Sequence, residues 1–130
     1  TVPLGTVPKK SNERAEKRLP AITLGEANDK GVRVFVDADG RERHFHGVNA
    51  VVKGPPWHPT VGGFDFETSL VDADFVLLQA AGVTVIRLGM MWAGAEPERG
   101  QYNFTYIETL RGIAQRASMH GIYTLLDMHK

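Results

Sequence analysis

The sequence contains no cysteine, which excludes disulfide bonds, thiolate nucleophiles and cysteine-ligated zinc. It has no excess of charge of either sign, because fifteen Lys and Arg balance fifteen Asp and Glu, so nothing favours binding to nucleic acid. No uninterrupted apolar run approaches the roughly 20 residues that cross a bilayer. What is present is a globular composition, 42% apolar and 23% charged, in 130 residues that can form one core.

The first thirty residues differ from the rest in composition. They carry three prolines and a cluster of five Lys and Arg between positions 9 and 18, with little hydrophobic periodicity. Such a segment cannot bury enough apolar surface to fold by itself. We predict an irregular leader over residues 1–30, with a short helical stretch around Asn12–Arg18, and a folded unit over residues 31–130.

A hairpin is predicted at the start of the folded unit. Val32, Val34 and Val36 alternate with Arg33, Phe35 and Asp37, which is the period of a half-buried strand. The segment "DADG" then supplies turn residues, since Asp and Gly tolerate positive φ. The chain is expected to return through a second strand over residues 44–50.

Helices and strands alternate in the remainder. Ser69 and Asp72 have the spacing of a capping box before an apolar run that Gly82 ends. A second helix is predicted from near Thr105 to Gly121, with an apolar stripe at Ile107, Leu110, Ala114 and Ala117. The β-branched segment "VTVIRLG" follows the first helix and is typical of a strand buried on both faces. The segment "IYTLLDMH", which begins with apolar and β-prone residues, follows the second helix and is predicted to be the third strand.

The order strand, helix, strand, helix, strand predicts a parallel sheet. A doubly wound sheet and an eight-stranded barrel both begin in this way. The chain lacks a G-x-G-x-x-G turn after its first strand, which argues against a nucleotide site. Polar residues end the three strands, namely Asn49, Arg87, Asp127 and His129, and this pattern suits a barrel whose site lies at the carboxyl ends of its strands.

Three blocks of the sequence resemble a known family. They are "FHGVNAVVKGPPWHP", "VIRLGMMWAGAEPERGQYNFTY" and "GIYTLLDMH", and together they resemble the opening of the endoglycoceramidases, a branch of glycoside hydrolase family 5. Relatives that cleave sterol glucosides tend to have Pro at the position of Met128, so "DMH" favours the ceramide branch. The resemblance implies an α/β fold: the first three βα units of a (β/α)8 TIM barrel, with residues 31–130 as the N-terminal part of a glycosidase domain.

The resemblance also implies an activity. Family members are retaining glycosidases in which one glutamate attacks the anomeric carbon and another protonates the leaving oxygen. Those glutamates end the fourth and seventh strands, so both are expected beyond Lys130, and this chain alone is expected to be inactive. The implied reaction is hydrolysis of the glycan–ceramide linkage of glycosphingolipids, without cofactor or metal, in a secreted, lysosomal or membrane-associated protein.

The implied partners are the glycosphingolipid and the remaining barrel portion, and peripheral contact with a membrane is expected. Apolar loop residues suit the lipid: Trp57, Phe64, Phe66, Met90, Met91 and Trp92. Two alternatives stay open at this point. One is another family 5 β-glucanase or β-glucosidase, and the other is a non-catalytic barrel fragment.

Roles for individual residues follow from the resemblance. Arg87 is expected to support the catalytic nucleophile, because a guanidinium fork can orient a carboxylate. Asp127 and His129 lie two residues apart on a strand, so they point the same way and can bind sugar hydroxyls. The substrate-binding set is completed by Asn49, Lys53 and Trp92. For each residue a purely structural role is the alternative: an ion pair, a braced strand, an idle surface lysine or loop core.

Other residues with chemical potential are assigned structural roles. His44 and His46 share a strand face, but with His129 they form no specific metal-ligand spacing. His58 and His120 are predicted to be ordinary surface residues. Glu96 beside proline is interpreted as a loop brace rather than the catalytic acid, and Asn103 is either a glycosylation acceptor or a helix N-cap.

Overall fold

The structure is a computed structural model, and it describes residues 19–130. The predicted helical stretch near Asn12–Arg18 lies outside the described residues. The elements, numbered along the chain, are strands β1 Ile22–Leu24, β2 Phe35–Asp37, β3 Glu42–Arg43, β4 Gly47–Ala50, β5 Val85–Met91 and β6 Tyr123–His129, and helices α1 Asp72–Ala80, α2 Trp92–Ala95 and α3 Phe104–Met119.

A small antiparallel sheet in the order β1-β2-β3 contains the predicted hairpin. The hairpin is confirmed in a shorter form, with Val36 opposite Glu42 and Gly40 in the left-handed region at the turn. The predicted irregular leader over residues 1–30 is wrong for Ile22–Leu24, which pairs with β2. Three residues are too few to show a period, so this strand depends on the partner that the hairpin offers.

The predicted return strand over residues 44–50 is also wrong. The chain leaves the hairpin after Arg43, and Gly47–Ala50 becomes the first strand of a second sheet. Gly47 permits this change, because a Cβ at that position would collide with the carbonyl oxygen of Val85 on the neighbouring strand. One continuous β-prone stretch therefore contributes strands to both sheets. The division falls at Gly47, where the backbone lies close to that of the neighbouring strand.

The second sheet is parallel, in the order β4-β5-β6, as the alternation of strands and helices predicted. Among the described residues, β4 and β6 each pair on one side only. Helices α1 and α3 pack on the sheet around a buried core that includes Phe75, Ile86, Leu88 and Ile113. Within residues 19–130 the parallel sheet has three strands, with helices α1 and α3 in the two connections between them.

Helix α1 begins later than predicted. The residue that bonds back across its first turn is Asp74, whose Oδ2 accepts from the Val71 amide at 2.8 Å and from the Ser69 hydroxyl at 2.9 Å. The predicted pairing of Ser69 with Asp72 is therefore wrong. Because the helix starts at Asp72, the third helical position, which can reach back to the cap, belongs to Asp74.

Helix α3 starts one residue before the predicted position, and Asn103 caps it. The Asn103 side chain accepts a hydrogen bond from the Tyr106 amide at 3.0 Å, so the N-cap interpretation is confirmed. Its buried face consists of Tyr106, Leu110, Ile113 and Ala117. This face is rotated slightly from the predicted stripe, which leaves Ile107 and Ala114 only half-buried.

The prediction that His58 and His120 are ordinary surface residues is wrong. The His120 ring stacks on Phe75, with ring centres 5.6 Å apart, and its Nε2 lies 3.6 Å from an oxygen of Asp72. It caps the end of α3 where that helix meets α1. The Nδ1 of His58 lies 2.6 Å from the carbonyl oxygen of Pro59 and the ring is half-buried. Both rings also lie against aromatic residues that are distant in sequence, His120 on Phe75 and His58 beside Tyr106 with ring centres 6.0 Å apart.

The small sheet and the segment that follows it contact the amino end of β6 around the Tyr123 ring. Phe45 meets Tyr123 edge to face with centroids 5.5 Å apart, and the Arg43 guanidinium lies over the Tyr123 ring. The Tyr123 hydroxyl donates to the carbonyl of Pro20 at 2.7 Å. These contacts leave the carboxyl ends of the parallel strands unobstructed by the small sheet. Within residues 19–130, no helix has the length and apolar character that a membrane span requires.

Candidate functional site

Polar side chains from all three parallel strands converge near the carboxyl ends of the strands. Nη2 of Arg87 lies 2.7 Å from Oδ2 of Asp127, and Nδ1 of His129 lies 2.7 Å from the same oxygen. Nη1 of Arg87 donates to the amide oxygen of Asn49 at 3.4 Å, a long hydrogen bond. Four of the residues predicted from the sequence therefore form one connected network.

The strand register explains why these side chains meet. Asn49 lies opposite Arg87, and Gly89 lies opposite Asp127, two residues nearer the carboxyl end. Asp127 and His129 point to the same side of β6 because strand side chains alternate. The long Arg87 side chain reaches from its own level to the next one, where Gly89 presents no side chain of its own.

The network keeps Asp127 ionised. The hydrogen bond from His129 is the main cause of a pKa of Asp127 below its ordinary value; burial opposes this shift, and the positive charge of Arg87 adds to it. A carboxylate can only accept, so Nδ1 of His129 carries the hydrogen and Nε2 remains as the ring atom for a further partner. The side chains of Arg87, Asp127 and His129 are 40%, 29% and 20% exposed, so each is partly accessible from solvent.

Lys53 and Trp92 lie outside this network. Lys53 is exposed in the loop after β4, and its side chain has no hydrogen bond or ion pair with any residue in the range 19–130. Trp92 begins α2, directly after β5, in a segment predicted to be a loop. It is half exposed and borders a cavity of about 650 Å³ together with Ala93, Glu96, Pro97 and Lys130. Both side chains are exposed enough to contact a ligand. They lie on separate segments, the loop after β4 and helix α2.

Three residues that were assigned structural roles from the sequence, Glu96, His44 and His46, have the following contacts. Glu96 accepts from the Gly100 amide at 2.6 Å, which confirms that it braces its loop. His44 pairs with Glu42 at 3.0 Å, well exposed, and His46 bonds through its backbone to Thr84. In the part of the chain that the structure describes, no three His, Cys, Asp or Glu side chains are arranged to hold a metal ion.

Sequence reasoning missed Tyr106. Its buried hydroxyl donates to the carbonyl of Trp57 and accepts from the amide of Met91, both at 2.8 Å. The available signal was the spacing of Tyr106 from Leu110, Ile113 and Ala117, which marks a buried helical face. Trp57 is half-buried and packs against the core, so loop core describes it better than an exposed stacking platform.

Comparison with known proteins identifies the class. A family model described as beta-galactosidase, glycoside hydrolase family 42, matches residues 64–128, which is half of the chain. This match shows that the chain belongs to the glycoside hydrolases. The matched segment includes α1, β5, α3 and most of β6, and therefore also Arg87 and Asp127 of the network.

Relatives of this glycoside hydrolase carry a more specific description. An endoglycoceramidase of Cyanea nozakii is 53% identical over 96 residues, and one of Hydra vulgaris is 50% identical over 97 residues. These matches cover 74% and 75% of this chain and 19% of each relative. Endoglycoceramidase I of Rhodococcus hoagii is 33% identical over 96 residues, 74% of this chain and 18% of that protein.

A solved structure of an endogalactoceramidase resembles the fold. It superposes with a TM-score of 0.60 at 29% sequence identity, over 82% of this chain and 22% of that chain. This likeness confirms a mixed α/β fold that matches a fragment of a glycoside hydrolase structure. The chain spans about a fifth of the length of the relatives that it matches.

Proposed function

We propose that this chain is the N-terminal part of a retaining endo-β-glycosidase that hydrolyses the glycan–ceramide linkage of glycosphingolipids. The observation that carries the proposal is the network of Arg87, Asp127 and His129 at the carboxyl ends of parallel strands. The names of the relatives, endoglycoceramidase at 50% and 53% identity, support the substrate class. The three sequence blocks resemble family 5, whereas the matching model is that of family 42, so placement in family 5 is part of the proposal.

The complete protein is proposed to be a (β/α)8 barrel that includes two catalytic glutamates on later strands. Support comes from the edges of the parallel sheet, because β4 and β6 each lack a second neighbour among the described residues. On β6 the side chains of Leu125, Leu126 and Met128 are exposed, which suits a strand that pairs further and is covered by other elements. The remaining barrel portion is therefore the proposed partner of this chain.

Arg87 has a role in this mechanism as a supporting group. A retaining glycosidase needs an ionised nucleophile about 5 Å from its acid. The Asp127 carboxylate fixes one edge of the guanidinium, and the other N–H groups of Arg87 can donate to the nucleophile and hold its charge. Arg87 thus makes no bond to the sugar in this proposal, and its contribution is electrostatic.

The other predicted site residues are proposed to bind the glycan. Asp127 offers acceptor oxygens, and His129 offers Nε2 to sugar hydroxyls. Asn49 braces the floor through Arg87. Lys53 reaches from its loop, and the half-exposed ring of Trp92 can stack on the apolar face of a sugar or on lipid.

Exposed aromatic residues on the loops at the carboxyl face support contact with a lipid surface. Phe66 is 85% exposed and Phe64 is also largely exposed, both in the loop that follows β4, and the exposed Phe104 is the first residue of α3. Aromatic side chains favour the boundary between water and lipid. We propose peripheral membrane contact by these loops, and a secreted or lysosomal location in which glycosphingolipids would be met.

The test uses the full-length protein and three substrates: a glycosylated ceramide, a soluble β-glucan of matched linkage and an aryl β-galactoside. Release of the intact oligosaccharide from ceramide with retained anomeric configuration is expected. Rapid cleavage of the glucan without glycan release would replace the proposal with a general β-glucanase or β-glucosidase. Preference for the galactoside would favour the description of the matched family. Cleavage of none of them would indicate a non-catalytic barrel protein.

A further inference from the structure

We infer that Tyr106 is a positioning residue for substrate binding, and that its hydroxyl holds two segments of the carboxyl face in the arrangement that the substrate meets. The segments are the loop after β4 and the junction of β5 with α2. The inference rests on the proposed function for the choice of substrate, and its geometric part does not depend on that choice.

Tyr106 lies in the first turn of α3 and is only 4% exposed. Its hydroxyl donates to the Trp57 carbonyl and accepts from the Met91 amide, each at 2.8 Å. Tyr106 is 49 residues from Trp57 and 15 residues from Met91 along the chain. One oxygen atom therefore joins three elements that are separate in sequence.

Each of these bonds fixes the neighbourhood of a candidate substrate-binding residue. The Trp57 amide donates to the Gly54 carbonyl at 2.6 Å, which closes a turn directly after Lys53. Met91 precedes Trp92 and is the register partner of His129 on β6. The Tyr106 hydroxyl thus anchors the Lys53 turn on one side and the start of α2 on the other.

The position of the Tyr106 ring is itself closely determined. A Cβ at Gly94 in α2 would lie 2.6 Å from Cζ of Tyr106 and 3.0 Å from Cβ of Trp57. Gly94 therefore lets the ring, α2 and the Trp57 loop approach one another. Burial raises the pKa of Tyr106, which keeps the hydroxyl protonated and able to donate.

Replacing Tyr106 with Phe removes only the hydroxyl. The ring would still fill its place, but the Met91 amide and the Trp57 carbonyl would lose their partner in a site with little water. Both segments would then sample other conformations. Because neither segment carries the catalytic groups of the proposed mechanism, the loss should weaken binding of substrate more than it slows the chemical step.

Tyr123→Phe is a matched control. The Tyr123 hydroxyl also donates to a backbone carbonyl, that of Pro20, at 2.7 Å. It lies at the first residue of β6, at the amino end of the parallel sheet, whereas Tyr106 bonds the last residue of β5. The two variants make the same chemical change at opposite ends of one sheet.

Kinetics of the full-length protein provide the first test, with glycosylated ceramide or whichever glycoside the wild-type protein cleaves best. Tyr106→Phe should raise KM by roughly 5- to 30-fold, the ratio that one or two ordinary hydrogen bonds give, and change kcat by less than about threefold. Tyr123→Phe should leave both constants within about twofold. Equal effects of the two variants on KM would reduce Tyr106 to a general structural residue and overturn the inference.

Amide hydrogen exchange provides a second test that needs no substrate. The Met91 amide should exchange at least about tenfold faster in Tyr106→Phe than in the wild-type protein, and remain unchanged in Tyr123→Phe. An unchanged Met91 amide would overturn the inference whatever the enzyme cleaves. If instead exchange responds as expected and ceramide glycosides are not cleaved, the proposed substrate is wrong while the positioning role stands.

Discussion

Arg87 and Asp127 form an ion pair between neighbouring parallel strands although they are not register partners. Nη2 lies 2.7 Å from Oδ2, yet Arg87 is opposite Leu125 and Asp127 is opposite Gly89. The guanidinium therefore extends toward the carboxyl end of the sheet, and its remaining donors lie at the face where barrel enzymes hold their reacting groups. Because of this offset, the ion pair holds the charged guanidinium of Arg87 near the carboxyl ends of the strands.

Arg87→Ala in the full-length protein should mainly lower kcat. The lost guanidinium would no longer stabilise an ionised nucleophile, and a decrease of roughly 10²-fold is expected for a missing electrostatic partner. Steady-state kinetics on glycosylated ceramide measure it. Arg111→Ala is the matched control, because Arg111 pairs with Glu108 on the exposed side of α3. A kcat for Arg87→Ala within about threefold of the control would show that the pair is only framework.

Asp127→Ala and His129→Ala should each lower kcat/KM. Both side chains are expected to bind sugar hydroxyls, and hydrogen bonds that involve a charged group justify a loss of roughly 10- to 100-fold. Asp127→Asn keeps the size but removes the charge, so its effect should be intermediate. Glu98→Ala removes an exposed loop carboxylate that bonds Gln101 and serves as the control. Constants for all three site variants that equal those of the control would contradict a binding role.

The acid stability of the fold should depend on Asp37. Burial alone would raise the pKa of Asp37, but hydrogen bonds from the backbone and side chain of Arg41, from Asp39 and from Arg43 lower it from 3.8 to about 2. A lowered pKa in the folded state means that the contribution of the carboxylate is complete above about pH 4 and is lost as the pH falls toward 2.

Thermal unfolding of the full-length protein between pH 6 and pH 2 tests this dependence. Asp37→Asn should lower Tm at neutral pH and flatten the decrease of Tm below about pH 4. Asp39→Asn is the control, since Asp39 is well exposed and, among residues 19–130, forms an ion pair with Arg41 only. Parallel Tm curves for wild type and Asp37→Asn throughout the acid range would show that Asp37 is not the source of the loss of stability in acid.

A polypeptide of these 130 residues, produced alone, should show no hydrolase activity and no cooperative unfolding. One side of β6 has no partner strand among the described residues, and this side, with the exposed Leu125 and Leu126, would favour association between copies. Size-exclusion chromatography, thermal unfolding and the ceramide assay measure these properties. A monodisperse, cooperatively unfolding and active monomer would contradict the incomplete-barrel proposal. If the proposal holds, mixing this polypeptide with the remaining segments of the barrel should restore a soluble complex.

The local pattern of the sequence determined the alternation of strands and helices and the polar strand ends. A β-branched run identified β5, and a run of apolar and β-prone residues identified β6. Helical periodicity identified α1 and α3, because a buried helix face requires a fixed spacing of apolar residues. Parallel pairing followed from the alternation. Since side chains two apart on a strand share a face, Asp127 and His129 could be placed together before any contact was known.

Contacts between distant segments decided the rest. The three-residue strand Ile22–Leu24 exists only beside the hairpin, and His120 is packed because α1 meets the end of α3. Asp127 obtains its lowered pKa from the close approach of His129 and Arg87, which a sequence cannot measure. The two bonds of the Tyr106 hydroxyl join segments up to 49 residues apart. Hydrogen-bond partners and burial depend on three-dimensional distances, so only the tertiary structure could assign them.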